Sequence, residues 1–268
     1  RKDANEEVLD VCITARHYAR DARRLLRPRR RLGALPGLVG VVERRVPFGV
    51  VGVIAPWNYP LTLAISDAIP AMMAGNCVVV KPDVQTTLSA LWIADLLQRA
   101  GLPPGVFTVV AGEGSVVGPL VIDRSDYVMF TGSTAVGRRV AARCGELLIG
   151  CSMELGGKNA MIVRGDADIA AAAALACRAS FSNSGQLCIS MERIYVDQSI
   201  VDEFLDAFAR RTQALRMSAQ IGWGADVGSL ISQRQRDRVA AHVENAVTLG
   251  ADVIVGGEPR SDIGPYFF

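Results

Sequence analysis

The sequence predicts an α/β protein, with a mostly parallel, helix-covered sheet followed by a second α/β unit. Three observations carry that reading. Short apolar runs such as CVVVK at 77–81 and DYVMFTG at 126–132 alternate with segments of helical length, and strands spaced by helices make βαβ units. GVFTVVAG at 105–112 and FTG at 130–132 each end a strand on glycine just before a helix. Half of the 268 residues are hydrophobic, enough for a large core in one or two domains.

The chain opens on a helical pattern over roughly 4–26, with Val8, Leu9, Cys12, Ile13 and Leu25 on or near one face. GALPGLVG at 33–40 reads as loop, and VVERRVPFGVVGVIAP at 41–56 as one or two strands broken near Pro47. Helices are expected at about 61–73, 88–100 and 134–146, strands at 77–81, 105–112 and 126–132, and a short helix after Gly112. From about 155 the pattern restarts, with strands at 159–163, 193–197 and 252–255 and helices at 168–180, 199–215 and 233–248. SMELGGKN at 152–159 marks the border between 1–154 and 155–268. Parallel connections of this kind need right-handed crossovers.

The charge balance, 29 basic against 27 acidic residues for a net +2, argues against a nucleic-acid surface as the main role. The basic residues concentrate at 16–45, with RRLLRPRRR at 23–31 read as a solvated helix end or loop and an anion or membrane-surface patch as the alternative. No apolar run approaches the roughly 20 residues of a membrane-spanning helix, and no secretory signal pattern opens the chain. Cysteines at 12, 77, 144, 151, 177 and 188 form no CxxC pair, so reduced thiols and a cytoplasmic setting are expected. His17 and His242 lie far apart in helical runs, so no zinc site has its ligands. The chain begins at Arg1 without methionine and ends on PYFF in or just before a strand, and it reads as an excerpt of a longer protein.

Cys188 lies in FSNSGQLCIS, 181–190, a small and polar stretch, whereas structural cysteines usually sit among apolar neighbours. Other polar residues fall at expected strand ends. Asn58 stands between two prolines in PWNYP (56–60), Lys81 precedes Pro82 in CVVVKPD (77–83), and Glu154 precedes two glycines in MELGGKN (153–159). Each alone has an ordinary reading as a rigid turn or strand end. Together they supply a thiol, a carboxylate, an amide and a cation beside a nucleotide-type fold. Two glycine loops compete for a phosphate role. GEGSVVG at 112–118 is one residue too long for GxGxxG and lacks the later acidic residue. FTGSTAVG at 130–137 lets Gly132 allow close backbone approach and Ser133 cap a helix whose first N–H groups can face an anion. It lacks the Lys-Ser/Thr ending of an NTPase loop, and an ordinary capped turn is its alternative.

PWNYP, Lys81-Pro82, FTGS, ELGGK and GQLC, in this order, resemble the aldehyde dehydrogenase superfamily over essentially the whole chain. KPDVQTTLSAL, GEGSVVG, MFTGS, GQLCISMERIYV and GSLIS look most similar to its NADP-type succinate-semialdehyde dehydrogenase branch. The resemblance implies an aldehyde dehydrogenase-like fold, with a Rossmann-like parallel-sheet cofactor domain over 1–154 and part of a second α/β catalytic domain over 155–268. It implies oxidation of a small-molecule aldehyde, succinate semialdehyde foremost, to an acid with NADP, NAD being the other option, and no metal. Cys188 would be the nucleophile, Asn58 and the Cys188 N–H the oxyanion donors, and Glu154 the general base. Lys81 matches the residue on the adenosine ribose or a 2′-phosphate, with Trp57, Asn58, Pro82, Asp83 and Val84 lining that region. Gly132 and Ser133 match the pyrophosphate turn, and Leu155 a backbone contact near the nicotinamide. A full-length homodimer or homotetramer is implied, with 37–47 a remnant of the oligomerisation hairpin.

Departures from the family pattern refine these expectations. Val84 stands where NAD-preferring relatives carry a glutamate, which favours NADP, while Asp83 is placed to restore part of NAD binding. Ser182 replaces the arginine that grips the substrate carboxylate in better-known succinate-semialdehyde enzymes, and Ser190 replaces a second, redox-active cysteine. The family's downstream Glu-Glu-x-Phe-Gly-Pro stretch does not occur before Phe268. A truncated, inactive nucleotide-binding module and a thiol enzyme without a redox step are the competing expectations.

Overall fold

A computed structural model describes residues 2–268. The chain divides into two compact units, Ala4–Leu155 and Gly156–Phe268, the latter grouped with Lys2 and Asp3.

The first unit begins in helix α1 (Lys2–Leu26), followed by an antiparallel hairpin of β1 (Arg29–Leu32) and β2 (Gly40–Glu43), with Arg29 opposite Glu43. The expected loop at the end of the basic run is therefore a strand. Pro28 cannot continue α1, and β2 supplies a ladder partner while Glu43 pairs with Arg31 at 2.6 Å. The hairpin spans 29–43 rather than 37–47.

Five strands then form one parallel sheet: β3 (Val50–Ile54), β4 (Cys77–Lys81), β5 (Phe107–Val109), β6 (Tyr127–Gly132) and β7 (Gly150–Leu155). Their spatial order is β5-β4-β3-β6-β7, parallel throughout. The crossovers carry α2 (Thr62–Ile65), α3 (Ala68–Met73), α4 (Thr87–Arg99), α5 (Gly114–Ile122) and α6 (Thr134–Leu147). The single helix expected at 61–73 is split, because Pro70 has no N–H and its ring would clash with the carbonyl of Ser66 in a continuous helix. The strand expected at 105–112 shortens to 107–109.

Alternation along the strands fills both faces of the sheet. Val51, Val53, Val78 and Val80 bury against Ala64, Ile65, Ala68, Ala90 and Ile93, while Val128 and Phe130 pack with Ile122, Val140 and Cys144. Full burial of each of these valine, isoleucine and phenylalanine side chains contributes about 1.5–3 kcal/mol. Gly52 in central β3 is required by closeness: a Cβ there would lie 2.4 Å from Ser125 Oγ and 2.9 Å from Val121 Cγ1.

In the second unit, β8 (Asn159–Val163) pairs in parallel with β9 (Met191–Val196), accompanied by α7 (Ile169–Phe181), α8 (Val201–Gln213) and α9 (Gln233–Thr248). Val163, Ala172, Ala173, Ala176 and Phe204 form its core. Asp168 caps α7 through the Ala171 N–H at 3.0 Å. The strand expected at 252–255 does not form. It follows a left-handed turn at Gly250 (φ 94°), gains no ladder partner among the described residues, and leaves Val253 and Ile254 exposed. Among the described residues no helix is long and apolar enough to cross a membrane.

Candidate active site

Because the sheet is parallel, β3, β4, β6 and β7 present their carboxyl ends on one edge, and the strand order reverses between β3 and β6. Open α/β sheets bind ligands outside that edge at such a reversal. Trp57 and Asn58 follow β3, Lys81 ends β4 and leads into Pro82, Asp83 and Val84, and Gly132 ends β6 with Ser133 at the head of α6. Glu154 and Leu155 end β7, in register with Thr131 and Gly132. The Ala55 N–H donates to the Lys81 carbonyl at 3.0 Å, so the PWNYP turn departs beside the end of β4.

Lys81 is only 5% exposed. Burial pushes its pKa below the usual lysine value, opposed by the charges of Asp83 and Glu113. A Cβ on Gly114 would stand 3.7 Å from Lys81 Nζ. The GEGSVVG loop, a poor phosphate fingerprint in sequence, thus borders the lysine instead. The Asp83 carboxylate caps the short turn at 84–86, accepting from the Gln85 N–H at 3.0 Å, and Val84 is exposed. Ser133 Oγ accepts from the Val136 N–H at 3.4 Å. The other first-turn N–H groups of α6 have no partner within the helix. Leu155 packs against α6, since a Cβ on Gly137 would come within 2.6 Å of its Cδ2.

Asp67, at the head of α3, was not singled out from sequence. Its pKa is raised, first by burial and then by the charge of Glu154, which makes it a second carboxylate within electrostatic reach of Glu154. Its signal was the lone charged residue in the mostly apolar LTLAISDAIPAMM.

Cys188 belongs to the second unit and is exposed. The preceding turn carries three successive left-handed residues, Asn183 (φ 49°), Ser184 (φ 58°) and Gly185 (φ 73°). The two non-glycine residues cost about 1–3 kcal/mol each, and side-chain bonds hold them there. Ser184 Oγ donates to the Gly228 carbonyl at 3.0 Å and accepts from its N–H at 3.2 Å. Gln186 Oε1 accepts from the Ile231 N–H at 2.9 Å. Asn159 Nδ2, from the start of β8, donates to the carbonyls of Cys188 at 2.7 Å and Ser190 at 2.9 Å. Sequence reasoning read Asn159 only as the end of MELGGKN. Ser182 Oγ donates to the Arg178 carbonyl at 2.7 Å. Among the other thiols, burial pushes Cys177 up, and burial together with Cys151 pushes Cys144 up to about 11.

The first unit therefore gathers Trp57, Asn58, Lys81, Pro82, Asp83, Val84, Gly132, Ser133, Glu154 and Leu155 along one sheet edge. The second presents Cys188 on a strained, braced turn. The sequence pattern of the aldehyde dehydrogenase family matches residues 1–268. The chain belongs to the aldehyde dehydrogenase family. It is 54% identical over 268 residues to the Mycolicibacterium smegmatis protein named "putative succinate-semialdehyde dehydrogenase, NADP(+)", covering 100% of this chain and 52% of that one. A Mycobacterium tuberculosis protein named "putative succinate-semialdehyde dehydrogenase, NADP(+), 2" is 50% identical over 265 residues, 99% of this chain and 51% of that one. Among solved structures, an E. coli NADP-dependent enzyme superposes with a TM-score of 0.94 at 32% identity, covering 99% of this chain and 55% of that chain. A Mycobacterium tuberculosis aldehyde dehydrogenase complexed with NAD+ superposes at 0.88 with 35% identity, covering 96% and 53%. This aldehyde dehydrogenase chain spans about half the length of the curated relatives it matches.

Proposed function

We propose that the protein from which this chain comes oxidises an aldehyde, succinate semialdehyde foremost, to its carboxylic acid with NADP, and with NAD as the secondary cofactor. The observation that carries the reading is the sheet edge, where Asn58, Lys81, Gly132, Ser133 and Glu154 all stand at carboxyl ends of parallel strands or just beyond them. The names of the relatives support succinate semialdehyde as the substrate and NADP as the preferred cofactor. Residues 1–154 act as the cofactor domain and 155–268 as part of the catalytic domain. The full-length protein works in the cytoplasm as a homodimer or homotetramer, with the β1–β2 hairpin in its assembly surface.

The residues suit a dinucleotide. A buried lysine beside a glycine-headed helix offers a cation to the ribose or a 2′-phosphate, and no carboxylate stands at Val84 to repel the latter. The exposed first turn of α6 after Gly132 and Ser133 offers N–H groups to the pyrophosphate. Trp57, Pro82 and Asp83 would line the lysine's side of the dinucleotide, and Leu155 would offer it a backbone contact near the nicotinamide.

Cys188, as thiolate, bonds to the aldehyde carbon and gives a thiohemiacetal. The Asn58 side-chain amide and the Cys188 N–H donate to the oxygen as its negative charge develops. The adduct loses hydride and becomes a Cys188 thioester. A bound nicotinamide supplies the acceptor for that hydride. Glu154 takes a proton from water, the water oxygen attacks the thioester, and the acid leaves as the Cys188 thiolate is restored.

The test is turnover of succinate semialdehyde by the full-length protein and its Cys188→Ala variant, read as reduced nicotinamide absorbance with NADP and with NAD. Activity that disappears in the variant, with cofactor binding retained, is the expected result. A full-length protein silent toward a panel of aldehydes with both cofactors refutes the reading.

A further inference from the structure

We infer that Glu7 is a positioning residue for Asn58, an inference that rests on the oxyanion role proposed above. Glu7 lies on α1, is only 8% exposed, and sends its carboxylate to a backbone stretch far along the chain. Its Oε2 accepts from the Leu61 N–H at 2.7 Å and the Thr62 N–H at 3.0 Å. Thr62 Oγ1 returns a bond to the Glu7 carbonyl at 3.3 Å, and about one turn further along α1 Asp10 accepts from Ser66 Oγ at 3.4 Å. Helix α1 thus grips the segment that begins just past Asn58 at both of its ends.

The other side of Asn58 is fixed independently. Ala55 is tied to the end of β4 through the Lys81 carbonyl, and Pro56 and Pro60 have fixed φ on either side of Trp57, Asn58 and Tyr59. The turn that carries Asn58 is therefore a short span held by the sheet at one end and by the Glu7 carboxylate at the other. Hydrogen bonds to a carboxylate are about twice as strong as neutral ones. With the Glu7 carboxylate removed, the Leu61 and Thr62 N–H groups lose their acceptor. The far end of the span, left with the Thr62 Oγ1 bond to the residue-7 carbonyl and the Leu63 N–H bond to the Tyr59 carbonyl, is then freer to shift. Displacement of about 1 Å at a reacting site costs about 100-fold in rate, so a residue that touches no substrate governs the reaction through Asn58.

The experiment uses the full-length protein with E7A, E7Q, E7D, N58A and the E7A/N58A double variant, reading kcat and KM for the aldehyde, cofactor affinity and amide exchange of residues 57–62. E7A is expected to lower kcat about 10- to 100-fold, within the range set by misplacement of a reacting group, with aldehyde KM and cofactor affinity nearly unchanged. E7Q keeps both acceptor bonds and is expected to recover most of the rate, whereas E7D is too short to reach. Because the effect runs through Asn58, E7A is expected to add little to N58A. Equal rate losses from E7A in the wild-type and N58A backgrounds, or an unchanged kcat in E7A, overturn the inference. If E7A does not fold, equal rates in E7D and E7Q overturn it. Should the wild type oxidise no aldehyde, the dehydrogenase reading fails on its own. The positioning claim is then judged by exchange, where unchanged protection of 57–62 in the Glu7 variants overturns it.

Discussion

Asn159 offers the sharpest test of how the cysteine turn is held. One side-chain NH2 group serves two carbonyls, of Cys188 at 2.7 Å and Ser190 at 2.9 Å. Asn159→Ala deletes both bonds and leaves the two carbonyls without that donor. A net contribution of about 1 kcal/mol per bond gives about 2 kcal/mol of lost local stability, and the solvent exposure of the Cys188 end holds it near that value. That energy corresponds to about a 30-fold rise in the open population of the turn, since about 1.4 kcal/mol is a factor of ten. Hydrogen exchange of the amides at 188–191 and the rate of Cys188 alkylation both report that opening. The turn has strain to release, because Asn183 and Ser184 are left-handed, so opening in the variant is expected to spread back to residue 183. Asn159→Asp sharpens the test: a carboxylate placed against two carbonyls repels them, and the effect is expected to exceed that of alanine. Exchange and alkylation rates unchanged in both variants refute the clamp. A larger effect in N159A than in N159D assigns the residue to packing instead.

Other expected outcomes follow from single contacts. Gly52→Ala drives a Cβ to 2.4 Å from Ser125 Oγ and 2.9 Å from Val121 Cγ1, and overpacking of this kind is expected to cost about 1–3 kcal/mol in denaturant unfolding. Lys81→Met removes a buried charge and is expected to raise the melting temperature without cofactor while weakening NADP about 10- to 100-fold, the loss of a charged hydrogen bond; calorimetry reads both. Asp67 has a folded-state pKa raised above the ordinary 3.8 by burial and by Glu154, so the folded protein binds more protons than the unfolded chain between those two values. Stability therefore falls as pH rises through that window, and the penalty persists above it. Asp67→Asn is expected to melt higher than wild type at neutral pH, with the gap closing as pH falls toward 3.8; a gap independent of pH refutes the assignment. Leu148 is left-handed (φ 57°) and 93% exposed at the end of α6, so Leu148→Gly is expected to stabilise by up to about 1 kcal/mol in thermal unfolding.

What was legible in the sequence follows the range of the interactions involved. CVVVK, FTGS and the helices at 134–146 and 233–248 were readable because burial periodicity, a glycine turn and a side-chain cap are set by neighbours along the chain. The helix expected at 61–73 misread a local signal that was present, since Pro70 was enough to split it. Two other misses were not local. RRRL is a strand only because Gly40–Glu43 lies beside it, and ADVIV is not one because no strand among the described residues pairs with it. The candidate site divides along the same line. Cys188, Asn58, Lys81 and Glu154 stand in short motifs whose composition is odd for their place in the chain. Glu7 and Asn159 act on partners 54 and 29 residues away. In sequence the first is one more acid on a polar helix and the second the tail of a glycine motif. Their roles depend on α1 crossing the turn after β3 and on β8 running beside the start of β9, facts of packing that residue identity does not carry. The groups proposed to meet substrate and cofactor are constrained by chemistry and leave a compositional mark, whereas groups proposed to hold them in place are constrained only by geometry, so in this chain those supporting candidates become visible only once the fold is known.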